Sequence, residues 1–311
     1  MVTVFLRFGV SAGVLIVLAF VVDLNDVWFR LLDMQCDWVL LAVLVSVLQV
    51  VGSAWRWRYT ASQLGIGLSL RQAVQEYYLA TFLNQILPGG VMGDVSRAWR
   101  HSRILLSSGF GKTGKAVRAV ILERLSGQMV MCLMAVISLM FLSINFDLIP
   151  LFWVFGSVAL GVLTIGLCVS WIGRQDESFA ALVLRDTRTA LFSSRAFPVQ
   201  LLSSSLIVLS YLVMYIVVAR AVGISTPTVE LAPLIAPVLI AMLLPVTVAG
   251  WGFREAAAAF IWGSVGLTVS DGVVVSIGYG VVVLLSSLPG VVFLFFGNPD
   301  QRGRHHLTQN V

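Results

Sequence analysis

Six runs of about 20 apolar residues constrain this chain more than any other feature. They are residues 4–22, 38–55, 119–142, 151–172, 199–222 and 273–296. A helix of roughly 20 apolar residues spans the hydrocarbon of a bilayer. The composition agrees, because 59% of the residues are hydrophobic and 11% are charged, against roughly a quarter charged in soluble domains. We predict an all-α polytopic membrane protein with about six full spans, folded as one membrane domain over residues 1–311.

The charged residues between these runs indicate how the chain is oriented. Residues 23–37 contain four aspartates and one arginine, whereas residues 56–118 contain nine arginines and lysines. Cytoplasmic loops are enriched in lysine and arginine, so we place residues 56–118 in the cytoplasm and residues 23–37 outside. Both termini are then cytoplasmic, and we expect a multi-pass protein of the cell inner (plasma) membrane.

Two shorter helical segments are interrupted by proline and glycine, and both carry one pattern. The pattern reads Leu-Pro, four residues, Gly, three residues, Arg. Its members are Leu87, Pro88, Gly93 and Arg97 in the first copy, and Leu244, Pro245, Gly250 and Arg254 in the second. The charge pattern puts both flanks of each segment on one side of the membrane. We therefore predict two re-entrant helical hairpins, whose broken backbone needs protein or a wet cavity around it.

The order span, span, hairpin, span occurs twice, once starting inside and once starting outside. This predicts an inverted repeat with halves at residues 1–148 and 149–297, followed by a cytoplasmic tail at 298–311. Inverted repeats are typical of secondary transporters with a midplane site. The alternative is that proline and glycine break helices anyway and that two short motifs agree by chance. The independent charge pattern favours the repeat.

Arg97 and Arg254 are the main candidates for binding a substrate. An arginine in hydrocarbon costs roughly 2.5–3.5 kcal/mol and so needs a partner or a polar cavity. Two interpretations of Arg254 stay open, a structural pair with Glu255 or another acid, and an anion clamp for a lipid phosphate. For Arg97 the clamp is favoured, because the nearby glycines let backbone amides approach an oxyanion. The substrate-binding candidates are Arg97, Arg254, Asn84, Gly89, Gly90, Gly93, Gly250 and Gly252.

Neighbouring charges complete the candidate site. Asp94 follows the glycine-rich break, so we predict that it caps a helix over residues 95–99, with proton or cation binding as the alternative. Glu123 and Arg124 are adjacent and need different partners, because successive residues face different sides of a helix. We expect Glu123 to contact Arg97 or Arg100. The candidate charge partners or coupling residues are Asp94, Glu123, Arg124, Glu255 and Arg56.

Motifs for enzymatic chemistry are missing from the sequence. Residues 109–114 end in Gly-Lys-Thr but lack the preceding strand and the first glycine of a phosphate-binding loop. The cysteine and histidine spacings predict neither a disulfide framework nor a metal site. We expect no enzymatic activity, no cofactor and no metal, and transport without ATP hydrolysis. The positive residues serve membrane orientation, so we expect no nucleic-acid binding.

Five motifs together resemble a known family over nearly the whole chain. They are W-R-W-R-Y at 55–59, N-Q-I-L-P-G-G-V-M-G-D-V-S-R-A-W at 84–99, V-I-L-E-R-L-S-G at 120–127, P-V-T-V-A-G-W-G-F-R-E-A at 245–256 and S-L-P-G at 287–290. The family is the transmembrane region of lysylphosphatidylglycerol synthases, also called flippase-like proteins. The departures are Met92, where a small residue is common, and Glu123, where relatives often carry aspartate.

The resemblance implies a polytopic helical bundle with re-entrant segments that moves a phospho-headgroup lipid between leaflets. Bifunctional members continue into a soluble aminoacyl-transferase domain; this chain stops at Val311, so we do not expect aminoacyl-lipid synthesis. We predict a translocase for an anionic phospholipid or a polyprenyl-phosphate-linked lipid. The alternatives are a lipid-modifying enzyme, an accessory subunit of a glycosyltransferase or cell-envelope pathway, and a purely structural partner. The expected partner is a membrane lipid with a phosphate headgroup, with a second copy of the chain or a glycosyltransferase as further candidates.

Overall fold

The structure is a computed structural model, and it describes residues 2–87, 90–107, 113–146, 177–243 and 249–296. Within these ranges the regular structure is helical, which confirms the predicted all-α class. The α-helices are α1 (Val2–Ala19), α2 (Leu24–Leu32), α3 (Cys36–Gln63), α4 (Leu70–Ile86), α5 (Met92–Ser107), α6 (Thr113–Phe146), α7 (Glu177–Ala190), α8 (Ala196–Ala221), α9 (Thr228–Ile240), α10 (Phe253–Ser264), α11 (Val269–Ser287) and α12 (Pro289–Phe296). A short 3₁₀ helix, Ala241–Leu243, follows α9.

Four helical segments of the described chain are long and apolar enough to cross a membrane. They are Cys36–Gln63, Gly114–Phe146, Ala196–Ala221 and Val269–Phe295, the last of which joins α11 and α12. They match four of the six expected spans, at residues 38–55, 119–142, 199–222 and 273–296. The expected span at residues 151–172 lies outside the described residues. Large leucines such as Leu40, Leu48 and Leu202 are exposed on these helices, as lipid-facing side chains are.

The N-terminal apolar run forms α1, and a second helix follows it where the sequence predicts only a loop. Phe8–Ala19 and Leu24–Leu32 meet at 101°, so together they are a broken span or a re-entrant pair by length and composition. The Asp23 carboxylate accepts the backbone N–H of Asn25 at 2.8 Å and caps α2. Arg30 then ties α2 to Asp271 of α11 at 2.7 Å. Asp23, one of the aspartates that suggested a loop, therefore caps a helix, and Arg30 anchors that helix.

Two helix pairs occupy the positions of the predicted hairpins. Helices α4 and α5 pack on each other around the first break (residues 87–91), and α9 and α10 pack on each other around the second break (residues 241–252). Residues 88–89 and 244–248 lie outside the described residues. None of these four helices is long and apolar enough to count as a span, although α9 is a shorter apolar helix.

The helices of residues 1–148 pack against those of residues 149–297, and one helix of each pair contacts the end of the other half. Helix α3 lies along α8, which occupies the same place in the second half. Helix α4 packs on α12 at the end of the second half, and α9 packs on α6 at the end of the first. Within each half, the second helix of the pair packs on the following span, α5 on α6 and α10 on α11. Helix α4 also packs on α3 and helix α9 on α8, so both helix pairs adjoin this central pair of helices.

Candidate functional site

A cavity of about 230 Å³ lies between the helix pairs and α3, α6, α8 and α11. This central cavity has Gly90 of the first break and Ala249 of the second break in its wall. A Cβ built on Gly90 would lie only 3.9 Å from the Cα of Ala249, so the two breaks meet there. The candidate site residues in the wall are Arg56, Asn84, Gly90, Asp94, Glu123 and Arg124.

Glu123 of α6 holds two arginines together in the wall of this cavity. Its carboxylate is fully buried. One oxygen, Oε1, accepts from Arg56 Nη2 at 2.6 Å and from the hydroxyl of Tyr77 at 3.2 Å. The other, Oε2, accepts from Arg97 Nη2 at 2.7 Å. The expected contact between Glu123 and Arg97 is therefore confirmed. Arg100 pairs instead with Glu76 of α4.

Asp94 is the second carboxylate of the site, and its predicted role as an N-cap is wrong. Helix α5 begins at Met92, so Asp94 already lies in its first turn. Its carboxylate accepts from Arg97 Nε at 2.9 Å and from Asn84 Nδ2 at 3.1 Å, and it also pairs with Arg124. Asp94 therefore joins three side chains from three helices, which a capping residue does not do.

Asn84 and Gly93 explain how α4 and α5 are held so close. The Asn84 side-chain oxygen accepts the backbone N–H of Gly93 at 2.8 Å, one of the donors that a helix start leaves without a partner. A Cβ on Gly93 would overlap the backbone carbonyl of Ala80. Gly93 is thus required by the close approach of two helices, and its amide is already engaged within the chain.

Arg97 is buried between two aromatic rings. Its guanidinium carbon lies 4.9 Å from the ring centre of Trp57 and 4.5 Å from that of Tyr77, positions that favour a cation. The side chain has no exposed area and does not contribute to the wall of the central cavity. Arg97 therefore connects Asp94 to Glu123 from behind the wall.

Together these residues form an arginine cluster, made of Arg56, Arg97, Arg124, Asp94 and Glu123. Its ion pairs join three guanidinium groups to two carboxylates, which leaves one positive charge in excess. The Arg56 and Arg97 side chains are almost fully buried, whereas the Arg124 side chain is one-third exposed. The excess charge is therefore accessible from the cavity at Arg124.

The second break places Arg254 in a smaller, electrically balanced arrangement. Arg254 Nη2 donates to Glu255 Oε1 at 2.6 Å, and the hydroxyl of Ser276 donates to the same oxygen at 2.9 Å. Glu255 Oε2 accepts the backbone N–H of Gly252 at 2.7 Å, so it caps α10. The structural pair considered for Arg254 and Glu255 is present, and both residues are fully buried.

Surrounding residues hold Arg254 away from the cavity. Its guanidinium lies over the rings of Trp251 and Tyr279, at 5.1 and 5.4 Å, and a Cβ on Gly280 would overlap it. Gly250 adopts a φ of +83°, which favours glycine. Among the candidates at this break, Arg254, Gly250 and Gly252 do not line the cavity. Gly89 of the first break lies outside the described residues.

Several residues of the cavity wall were missed by sequence reasoning. Ser46, Gln49 and Ser53 line one face of α3, and their spacing of three and four residues places them on one side of a helix. Polar side chains on one face of an apolar span are a usable signal of a cavity. Tyr77 carried no such signal, because its role depends on where α6 lies. Among the described residues, no group of three His, Cys, Asp or Glu side chains could hold a metal ion.

Fold and site together define a polytopic helical membrane protein with a charged cavity between two broken helix pairs. The family model of the lysylphosphatidylglycerol synthase TM region matches residues 4–290. The chain therefore belongs to that family, as its motifs indicate, and both breaks and the arginine cluster fall within the matched region. No curated protein matches the chain significantly.

Proposed function

We propose that this protein moves an anionic lipid between leaflets, with the phosphate of its headgroup in the central cavity. The observation that carries the proposal is the arginine cluster, whose three guanidinium groups and two carboxylates leave one positive charge beside the cavity. An arginine in a membrane-embedded cavity is favoured by a counter-ion beside it, and the two carboxylates of the cluster are shared among three arginines. A bound phosphate would supply that counter-ion, so binding and charge balance favour the same ligand.

Arg124 is the best-placed cation for the phosphate. It lines the cavity, its side chain is one-third exposed, and it pairs with Asp94 alone among the carboxylates of the cluster. Asp94 keeps Arg97 and Asn84 as partners when Arg124 turns to a ligand. A guanidinium binds phosphate oxygens through two parallel hydrogen bonds. Because Asp94 competes with the phosphate for Arg124, the lipid is not bound too tightly to be released.

The exchanged packing of the two halves supports an inverted repeat with alternating access. Each helix pair packs on the last helices of the other half, as internally duplicated transporters do around a shared site. We infer that both pairs are re-entrant and that each gates the cavity toward one leaflet. No step of this scheme needs ATP hydrolysis, and the direction of net movement follows the lipid gradient.

Leaflet exchange of a fluorescent phosphatidylglycerol in proteoliposomes tests the proposal. We expect exchange above that of protein-free vesicles, and at least about tenfold slower exchange for Arg124→Gln, because loss of one charge-assisted contact is worth about 1.5–3 kcal/mol. Arg103→Gln is the matched control, since Arg103 stacks on Trp99 and does not line the cavity. Wild-type vesicles that behave like protein-free vesicles would reject the proposal and favour an accessory role.

The clamp of Arg97 and Arg254 that the sequence suggests remains the alternative placement of the phosphate. The Arg97→Ala, Arg254→Ala double variant tests it. Normal exchange by a folded double variant would exclude the clamp, and its melting temperature in detergent must be recorded in parallel. Retained exchange with Arg124 present would leave the Arg124 site as the one supported.

The orientation of the chain is a separate part of the proposal. We place the protein in the inner (plasma) membrane with both termini in the cytoplasm. Single cysteines at positions 33 and 111, introduced into a variant without its three native cysteines, report it. We expect an impermeant maleimide added outside intact cells to label position 33 and to leave position 111 unlabelled. Labelling of both positions from one side would contradict the orientation.

A further inference from the structure

Helix α2 is too short to cross a membrane and does not continue the direction of α1. It has nine residues, which extend roughly 14 Å against a hydrocarbon thickness of roughly 30 Å. It meets α1 at 101°, and the carboxylates of Asp23 and Asp33 lie at its two ends. A charged carboxylate is costly in hydrocarbon, so both ends of α2 belong at a boundary with water.

Contacts with three candidate spans fix the depth of α2. Arg30 donates to Asp271, in the first turn of α11, at 2.7 Å, and to the backbone carbonyl of Val222, just past the end of α8, at 3.4 Å. The N–H of Gln35, directly before α3, donates to the carbonyl of Ala221, the last residue of α8, at 3.0 Å. Because α3, α8 and α11 all begin or end at this level, α2 lies at a membrane boundary and not at mid-depth.

Packing on the bundle also fixes which side of α2 faces outward. Val27 is buried in the core, and Leu31 packs partly against that core. Arg30 and Asp26 form the polar side, where the hydroxyl of Ser270 donates to the Asp26 carboxylate at 3.1 Å. The remaining side is an apolar stripe whose members are 56–67% exposed and mostly four residues apart, as neighbours on one helix face are. These members are Leu24, Trp28, Phe29 and Leu32.

We propose that α2 is an interfacial helix whose apolar stripe is embedded in the lipid leaflet at this end of the bundle, the outer leaflet in the proposed orientation. Amphipathic helices of this kind lie in the membrane plane with the apolar side buried about 5–10 Å, and tryptophan is enriched at that depth. The next helix, α3, likewise exposes Trp38 and Leu40. Through Arg30 the leaflet then anchors the start of α11, the span that packs on α10. None of this requires lipid translocation or a ligand in the central cavity.

Depth-dependent fluorescence quenching tests where α2 lies. The full chain, without its three native cysteines, carries a single fluorophore through Trp28→Cys and is reconstituted in phosphatidylcholine vesicles. The vesicles contain lipids with a nitroxide either just below the headgroup or near the end of the acyl chain. We expect the shallow nitroxide to quench position 28 at least about twofold more strongly than the deep one, because an interfacial helix stays near the headgroups.

Leu48→Cys is the depth reference for this measurement. Leu48 is 62% exposed and lies near the middle of α3, so a fluorophore there should be quenched more strongly by the deep nitroxide.

Removing the neighbouring apolar side chains tests whether the stripe itself holds α2 in the lipid. Adding Leu24→Ser and Leu32→Ser to the labelled protein should weaken quenching of position 28 by the shallow nitroxide at least about twofold, because less apolar surface is gained by burial. Leu202→Ser with Leu206→Ser is the matched control, since both leucines are similarly exposed but lie on α8. That pair should leave the quenching of position 28 unchanged.

Three results would overturn the proposal. Stronger quenching of position 28 by the deep nitroxide would show that α2 dips into the membrane as a re-entrant helix. Quenching by aqueous iodide but by neither lipid would show that the stripe faces water. Protection from iodide and from both lipids would show that a second copy of the chain covers it. Leaflet exchange measured in the same vesicles bears on the proposed function alone.

Discussion

At the first break Arg97 shares two carboxylates with two other arginines, whereas at the second break Arg254 is matched by Glu255 alone. Both guanidinium groups lie over two aromatic rings and have almost no exposed area. The local surroundings of the two arginines are thus alike, but their charge balance is not. At the second break the ion pair is neutral and enclosed, whereas at the first break an excess positive charge faces the cavity.

The difference arises from where each carboxylate originates. At the second break Glu255 follows Arg254 on the same helix, and the next span contributes the hydroxyl of Ser276 and the ring of Tyr279 but no acid to the pair. At the first break the fully buried acid, Glu123, comes from the next span and brings Arg124 beside it. The different charge balance of the two breaks therefore follows from one or two side chains on an adjacent helix.

The largest effect on stability should follow removal of the Glu123 carboxylate, which α6 contributes to the arginine cluster. Glu123→Gln would leave Arg56 and Arg97 buried without their shared charge. Breaking a buried ion pair costs roughly 3–5 kcal/mol, and here two pairs are broken together. We expect a loss of at least about 3 kcal/mol in the free energy of unfolding, measured by chemical denaturation in detergent micelles.

Glu76→Gln is the matched control for a partly exposed pair. Glu76 bonds Arg100 at 2.9 Å, and their side chains are 14% and 17% exposed. Solvent reaches this pair in part, and one ion pair is broken instead of two, so the expected loss is clearly smaller than that of Glu123→Gln. Equal losses for Glu76→Gln and Glu123→Gln would mean that the arginine cluster is not the more stabilising arrangement.

An intermediate effect is expected for the glycine that lets the first pair of helices meet. Gly93→Ala places a methyl group against the carbonyl of Ala80, so α4 and α5 must separate, at a cost of roughly 1–3 kcal/mol. Gly52→Ala serves as the comparison, because its Cβ would meet Ile207 at an ordinary 3.6 Å. We expect the melting temperature of the first variant to fall and that of the second to stay level or rise. An unchanged Gly93→Ala protein would refute the close approach.

Sequence alone predicts most of the helices and the positions of the two breaks. Apolar runs, Leu-Pro breaks and glycines are local signals, so the four candidate spans and both helix pairs fall where expected. Helix α2 was missed, because it has only nine residues and four charged residues lie in or beside it, as in a loop. The contact between Arg30 and Asp271 that anchors this helix is not visible in the sequence. The contact between Glu123 and Arg97 was predictable, because a buried arginine needs a counter-ion.

The composition of the cavity wall was less accessible to sequence reasoning. Arg97 and Arg254 share a motif, but whether an arginine faces a cavity depends on the rotation of its helix and on what packs behind it. Trp57 and Tyr77 enclose Arg97, and Arg124 is left at the wall. These contacts join residues distant in sequence, and no local pattern encodes them.

The smallest effect should come from removing the charges of the second break together. In the Arg254→Met, Glu255→Gln double variant the pair becomes neutral without leaving a charge unpaired. The glutamine oxygen can still accept the N–H of Gly252, as Glu255 Oε2 does at 2.7 Å. Replacing a whole buried ion pair is often close to neutral, so we expect unfolding free energy within about 1 kcal/mol of wild type.

Arg254→Met alone provides the contrast, because it leaves the Glu255 carboxylate buried without its cation and should lose roughly 3–5 kcal/mol. If the second break serves stability, the double variant should also exchange lipid at a rate within about twofold of wild type. That factor corresponds to less than about 0.5 kcal/mol in the activation free energy of exchange. A double variant that is as stable as wild type but has lost exchange would show that the charge of Arg254 is needed for the lipid. The two breaks would then act as one clamp, and their different charge balance would not mark a division of roles.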